Sequence, residues 1–380
     1  MTFIKSFTPE NLFSSLSNKD NFLLLDVRNK DDFSRFQIEG PFEADMLNIP
    51  YFDFIEEKDK YLSKVSRQKP VKIVCAKEGS AQYVAELLSG DGFDDVSILK
   101  GGINTWGNML VPTRINEKSD KYKLYQFIRP GKASCSYAII YSGEIVLIDP
   151  SRNIHFYKEF ADGHNGKISR VFETHLQADY ISGSRLIASE VGAEVFVHPN
   201  DFKNAVFSFK KMEDDHRIRI GKDGPEIRAT HTPGHTLGSV SYIVDNSYLI
   251  SGDTVFINSV GRPDLGGNVS EWSKILYNTL TQKIQYLDEN MFLLPGHFTN
   301  WTEANKNLQF SEKLGNVKKN NPNIFAIESP ELFSQFIEDN MRKQPKIYEK
   351  IRKINTGLID VMEEEADQID LGKNECAACT

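Results

Sequence analysis

Apolar residues along this chain come in short runs separated by polar turns. Phe22-Leu-Leu-Leu-Asp26-Val-Arg28, Val71-Lys-Ile-Val-Cys75 and Val96-Ser-Ile-Leu99 each predict a buried strand. Thr8-Pro9 through Leu16 reads as a helix with a cap and a first-turn proline, and Lys30 to Phe36 and Gln82 to Leu88 carry helical character. Strands alternating with helices predict a parallel α/β sheet covered on both faces. From Val111-Pro112 to about Lys121 the chain turns polar without apolar periodicity, which predicts a linker over 113–122 after a first domain at 1–112. Tyr137-Ala-Ile-Ile-Tyr141 and Glu144-Ile-Val-Leu-Ile-Asp149 then predict two strands about a turn at Ser142-Gly143, opening a second domain over 123–315. Within it Ser184 to Val191 predicts a helix and Ala193 to His198 a strand. Residues 316–380 predict a helical and acidic extension, with helices at Pro330 to Met341 and Tyr348 to Ile354 and an acidic tail from Glu363.

In the second domain four apolar runs end in residues able to bind a metal. Val171-Phe172 leads into Thr174-His175-Leu176-Gln177-Ala178-Asp179-Tyr180, and Ile227-Arg-Ala-Thr230 leads into Thr232-Pro-Gly-His235. Tyr248-Leu-Ile250 leads into Ser251-Gly-Asp253, and Met291-Phe-Leu-Leu294 into Pro295-Gly-His297. Carboxyl ends of strands are where α/β proteins place their chemistry. A neutral imidazole nitrogen and a carboxylate oxygen suit a mid-transition-series ion, and glycine beside such a residue lets backbone approach closely. Any single His is more often structural; the ordered set predicts a metal site. His155, His164, His198, His216 and His231 fall outside this pattern and read as surface or core residues.

This set resembles the metallo-β-lactamase superfamily, which implies an αββα sandwich with metal at the strand ends. Ser251-Gly-Asp253-Thr254 followed by Gly261-Arg-Pro-Asp264-Leu265 resembles more narrowly the persulfide dioxygenase branch, itself similar to glyoxalase II. The superfamily pattern His-x-His-x-Asp-His departs here at two places, where Gln177 and Tyr180 stand for the second and third His. In two-zinc members those His complete the two sites, so a second ion would keep Asp179, Asp253 and His297. Left intact for the first ion are His175, His235 and Asp253. Two His and one carboxylate with open positions is the arrangement of non-haem iron(II) oxygenases, and the resemblance implies one iron(II) on those three, with zinc as the alternative. Asp179, His297, Tyr180 and Gln177 would then shape the surroundings or a second metal position, and Arg262 and Asp264 would position substrate or pin their loop.

In the first domain Cys75 ends a strand, and the turn Cys75-Ala-Lys-Glu-Gly-Ser80 is short and small. Its backbone N–H groups can point inward at a thiolate or persulfide, and Lys77 adds positive charge, so Cys75 is predicted to be the catalytic nucleophile with Lys77, Gly79 and Ser80 around it. Leu25-Asp26-Val27-Arg28, Ile38-Glu39-Gly40, Asn48-Ile49-Pro50, the Cys75 loop and Gly101-Gly102 with Trp106 resemble a single rhodanese (sulfurtransferase) domain. Many rhodaneses carry Arg where this chain has Ser80, which bears on the sulfur donor. Asp26 and Arg28 are expected to brace the domain.

A length of 380 residues with a hydrophobic fraction of 40% accommodates two cores. A net charge of -8 offers no basic field, so neither nucleic acid nor an anionic membrane is an expected partner, and self-association stays open. The stretch from Met1 to Glu10 lacks a long apolar core and no run approaches a membrane span, which predicts a cytoplasmic protein. Four cysteines are too few for a disulfide framework; Cys135 reads as a core thiol, and Cys376 and Cys379 as either a redox pair or an exposed tail. Together the two resemblances imply a sulfur-metabolism enzyme that oxidises a small thiol persulfide with molecular oxygen and exchanges sulfur with thiosulfate or sulfite through Cys75. The alternatives are a zinc thioester hydrolase, and a sulfur carrier in which only Cys75 works.

Overall fold

The computed structural model describes residues 4–118 and 120–378. The chain divides into two compact units, the first formed chiefly by Met1–Val111 and the second chiefly by Pro112–Ile128 and Ala133–Asp370 with Asn374–Thr380.

In the first unit five strands, β1 (Lys5–Phe7), β2 (Leu23–Asp26), β3 (Asp45–Asn48), β4 (Val71–Val74) and β5 (Val96–Leu99), form a sheet of order β1-β5-β4-β2-β3. Every pairing is parallel, as the strand-helix alternation predicts. Leu25, Ile73, Val84, Ala85 and Leu88 are buried together, the last three from the helix Gly79–Gly90. The helix Pro9–Ser17 starts at Thr8, whose hydroxyl accepts from Asn11 N while the Asn11 side chain accepts from Thr8 N. Asp26 and Arg28 form a buried bidentate pair, Nη2 to Oδ2 at 2.6 Å, and Arg28 Nη2 also donates to Phe36 O at 2.6 Å. The edge strands β1 and β3 are short and partly exposed, which is why their apolar signal is weak.

The second unit holds two sheets. One has seven strands, β6 (Val111–Arg114), β7 (Lys123–Arg129), β8 (Ser134–Tyr141), β9 (Glu144–Ile148), β10 (Lys167–Phe172), β11 (Glu194–Val197) and β12 (Lys210–Lys211), in the order β12-β11-β10-β9-β8-β7-β6. The other has six, β13 (Arg217–Arg219), β14 (Glu226–His231), β15 (Val240–Val244), β16 (Tyr248–Gly252), β17 (Phe292–Pro295) and β18 (Glu312–Lys313), in sequence order. In the six-stranded sheet β15 runs against both β14 and β16, while β16 and β17 are parallel. The carboxyl ends of β14, β16 and β17 therefore share one edge.

One sequence expectation needs correction and one gains detail. The stretch read as a linker begins inside an edge strand, β6, and is tied down further on: Ile115 N donates to Leu124 O at 2.8 Å, and the Asn116 side chain accepts from Leu124 N and donates to Tyr122 O. Polarity misleads there because an edge strand keeps one side in water. The acidic run from Glu363, read as part of a helical and acidic extension, is held in place. It forms the helix Glu363–Asp370, whose Glu363, Asp367 and Asp370 all pair with the mostly buried Arg152. One arginine fork facing three carboxylates along a helix makes the acidic run a docking edge.

Candidate metal centre and the Cys75 loop

His175 lies three residues past the end of β10 and His235 four past β14, while Asp253 follows β16 directly and His297 sits two beyond β17. All four are at most 2% exposed. His175 Nε2 and His235 Nε2 stand 3.7 and 3.5 Å from Asp253 Oδ2, and the three ligand atoms lie within 4.8 Å of one another.

The neighbours of these residues fix which nitrogen faces the cluster. Thr174 Oγ1 donates to Asp149 Oδ2 at 2.7 Å, so it accepts from His175 Nδ1–H at 2.9 Å and leaves the Nε2 lone pair pointing inward. His235 Nδ1–H donates to Arg262 O at 2.9 Å with the same result. Among the described residues His175 Nε2, His235 Nε2 and Asp253 Oδ2 have no hydrogen-bond partner, although all are buried. Three orphaned donor atoms of metal-binding type converging in a buried cluster fit a metal ion. Burial dominates the proton affinities: it drives His175 down to about 3 and lowers His235, which keeps both rings neutral. Asp253 sits below its ordinary range; burial opposes that, but the three surrounding imidazoles outweigh it.

Glycine at two positions follows from this geometry. A Cβ on Gly296 would stand 2.6 Å from Asp253 Oδ1, and Gly252 combines a φ of +52° with a Cβ position 2.4 Å from Thr174 Oγ1.

The remaining sequence candidates sort differently. Asp179 and His297 form a second group, His297 Nε2 lying 3.0 Å from Asp179 Oδ2, and His297 Nδ1 lies 2.8 Å from Asp253 Oδ1. The Tyr180 hydroxyl turns away and donates to Asp149 O at 3.2 Å. Gln177 borders a separate small cavity with Glu173, Ser182 and Asn355. Arg262 is buried and binds Asp264 through Nε and Nη2 at 2.7 and 2.8 Å; its Nη1 donates to Glu375 O and its Nη2 to Arg342 O. These bonds join the loop after β16 to Glu375 and Arg342. His198 and His231 stack on each other, centroids 4.2 Å apart, and take no part in either group.

Three contributors were not assigned from sequence. Asp149, at φ +54° just past β9, orients Thr174 and through it His175. Asp201 accepts from Leu176 N, Gly238 N and Thr236 Oγ1, bracing the loops of His175 and His235. Both follow buried strands and carry no spacing signal. Cys376 is the third: it is 1% exposed, and its Sγ lies within 4.8 Å of the ligand atoms of Asp179 and His297. Burial pushes its thiol well above the usual range. Cys379 lies outside the described residues.

In the first unit Cys75 follows β4 and precedes the helix Gly79–Gly90. Its sulfur is met by the backbone N–H groups of Lys77, Ser80 and Ala81, yet burial outweighs them and raises the thiol. The turn is closed by Ile103 N donating to Cys75 O at 2.9 Å and Gly101 N donating to Glu78 Oε1 at 2.6 Å. Lys77 and Gly79 are exposed and Ser80 half-buried. Cys135 is a buried core thiol.

Comparison with known proteins accords with this architecture. Residues 129–297 match the family described as metallo-beta-lactamase superfamily, and residues 10–109 match the rhodanese-like domain. An uncharacterized protein of Mycobacterium leprae is 27% identical over 178 residues, 40% of this chain and 80% of its own. A probable metallo-hydrolase of Bacillus subtilis is 26% identical over 182 residues, 43% and 83% of the two chains. A hydroxyacylglutathione hydrolase of Prochlorococcus marinus is 30% identical over 129 residues, 32% and 50%. Among solved structures, a metallo-beta-lactamase from Staphylococcus aureus superposes with TM-score 0.56 at 25% identity, covering 64% of this chain and 75% of that one. ETHE1 from Myxococcus xanthus superposes with TM-score 0.52 at 22% identity, covering 65% and 99%, a likeness of fold. No helix among the described residues is long and apolar enough to cross a membrane. The chain carries a rhodanese-like domain followed by a domain of the metallo-β-lactamase fold.

Proposed function

We propose that the second domain oxidises a low-molecular-weight thiol persulfide with molecular oxygen, and that the first transfers sulfane sulfur through Cys75. What carries this reading is the group His175, His235 and Asp253, two imidazoles and one carboxylate with both rings locked to present Nε2. An iron(II) ion held there would supply redox chemistry with oxygen and leave positions open for a sulfur ligand. The chain's own part is to keep both imidazoles neutral by burial, to aim them through Thr174 and the Arg262 carbonyl, and to exclude bulk water.

Overall, one persulfide, one dioxygen and one water give thiol, sulfite and two protons. The sulfur–sulfur bond breaks, the terminal sulfur gives up electrons to dioxygen, and the other sulfur leaves as the thiol. In the first domain the Lys77, Ser80 and Ala81 N–H groups would hold a persulfide on Cys75, formed when the thiolate takes the outer sulfur of thiosulfate and sulfite leaves, or discharged when sulfite takes that sulfur as thiosulfate and the thiolate leaves.

The test is oxygen uptake by protein loaded anaerobically with iron(II) and then given a small-thiol persulfide, beside a His235→Ala control. Uptake that yields sulfite and vanishes in the control supports the reading. No uptake with iron demonstrably bound sinks it. A second reading, zinc-dependent thioester hydrolysis, is favoured by the similarity to the hydroxyacylglutathione hydrolase. It is separated by thioester cleavage with zinc bound and no oxygen consumption.

A further inference from the structure

His175, His235 and Asp253 are each at most 2% exposed, so a substrate as large as a thiol persulfide reaches them only when part of the second unit moves aside. The segment 374–378 lies against the centre. Cys376 Sγ stands within 4.8 Å of the ligand atoms of Asp179 and His297 and within hydrogen-bonding reach of the Asp253 side chain. Ala178, Phe256, Leu265 and Tyr348 pack around it. What seats the segment is an isolated antiparallel bridge between Gly261 and Ala377 and a set of hydrogen bonds: Arg262 N to Cys376 O at 2.8 Å, Ala378 N to Val260 O at 2.9 Å, and Asn374 Nδ2 to Ala133 O at 3.1 Å. The loop it pairs with touches the ligands directly, since a Cβ on Gly261 would stand 2.8 Å from His235 Nδ1. Bonds of this kind each contribute little net stability, and a segment held by them opens locally long before the fold does.

We propose that residues 374–378 are an autoinhibitory strap, which when docked puts the Cys376 thiol in the place of the substrate's sulfur and leaves the metal centre accessible only when it lifts. The place suits a sulfur. Its walls are largely apolar, and the Tyr348 hydroxyl, which accepts from Glu375 N at 3.0 Å, keeps its own proton for Sγ at 4.0 Å. Because Sγ already rests against Asp253, strap and substrate take the same volume and exclude each other; the strap does not close over a bound substrate. Apparent substrate affinity is then the intrinsic affinity scaled by the fraction of chains with the strap lifted. The inference rests on the reading that the substrate brings a sulfur to the His175 group, whereas the strap's guarding of that group is measurable without any reaction.

The test compares the full chain, loaded with iron(II) under anaerobic conditions, with Ala378→Pro, which deletes the N–H donated to Val260 O. Asn374→Ala removes the bonds to Ala133 O and from Cys376 N and is the second variant, in case the first fails to fold. Three quantities are read: alkylation of Cys376 by iodoacetamide, followed on its peptide by mass spectrometry; the rate at which a chelator strips the iron; and oxygen uptake with a small-thiol persulfide. In both variants alkylation and iron removal should accelerate together by about ten-fold. KM for the persulfide should fall by the same factor with kcat unchanged. Faster alkylation with iron removal and KM unmoved would overturn the proposal, because the segment would then lift without uncovering the centre. Alkylation unmoved in both variants would overturn it as well. Oxygen uptake absent from every protein, with iron removal still tracking alkylation, would uphold the strap as guard of the centre and sink the dioxygenase reading alone.

Discussion

His297 Nδ1 lies 2.8 Å from Asp253 Oδ1, while Asp253 Oδ2 faces the Nε2 atoms of His175 and His235. One carboxylate thus serves two groups with its two oxygens, as a ligand atom on one side and as the brace of an imidazole on the other. Groups that share an atom pair in this way respond together to mutation and do not behave additively.

The outer partners of the first group are accessible to a subtle test. Thr174→Val keeps shape but removes both the acceptor for His175 Nδ1–H and a donor to the buried Asp149. Metal affinity at the His175 group should fall by about 10–100-fold, with stability reduced by about 1–3 kcal/mol because Asp149 Oδ2 loses its Thr174 donor while Oδ1 keeps the Thr174 N–H. Competition with a chelator measures the first and denaturant unfolding the second. Unchanged affinity would mean that burial alone orients His175.

Backbone closeness is a separate requirement. Gly296→Ala places a methyl 2.6 Å from Asp253 Oδ1 and 3.1 Å from the Gly252 carbonyl carbon. Either the carboxylate swings off His297 or the β16–β17 edge parts. The expected outcome is about 1–3 kcal/mol of destabilisation together with loss of bound metal, read by thermal unfolding and elemental analysis. A fully loaded, equally stable variant would contradict the close approach.

The parts of the site that sequence revealed are those in which chemistry and secondary structure coincide. His175, His235, Asp253 and His297 each end an apolar run, so their side chains and the strands that carry them are read from the same residues. Asp149 and Asp201 act through hydrogen bonds fixed only once β9, β10 and the loops have met, and nothing in their local pattern marks that. Cys376 is the extreme case: its partners Asp179 and His297 are far away in the chain, and the docking that joins them runs through backbone bonds to residues 260–262. Edge strands such as β1, β3 and β6 escaped for the opposite reason, being short and half in water.

Away from both groups, His198 offers a pH-dependence. It is stacked on His231, and burial, with a smaller contribution from that neighbouring ring, lowers it to about 4. The unfolded chain, with an imidazole near about 6.5, binds more protons between those values. This residue's contribution is therefore complete above the unfolded value and is lost as pH falls toward the folded one. His198→Asn keeps an acceptor for Asn200 N, which bonds His198 Nδ1 at 3.2 Å, but cannot titrate. Unfolding free energy should climb less steeply from pH 4 to 6.5 in the variant. An unaltered slope would assign the dependence to other groups.

Arg262→Lys isolates what holds the C-terminal segment. The guanidinium grips Asp264 through two nitrogens and also reaches Glu375 O at 3.0 Å and Arg342 O at 2.6 Å, a fork that a single ammonium cannot reproduce. The backbone contacts, Arg262 O to His235 Nδ1 and Arg262 N to Cys376 O, remain available in the variant. Loss of charge-assisted bonds worth about 1.5–3 kcal/mol should raise the open population of the segment by about 10–100-fold. Alkylation of Cys376 in metal-free protein, followed on its peptide by mass spectrometry, should accelerate by that factor. Metal content at His175, His235 and Asp253 should stay constant. If the alkylation rate does not move, the remaining contacts, among them the Gly261–Ala377 bridge and Arg262 N to Cys376 O, seat the segment without the guanidinium.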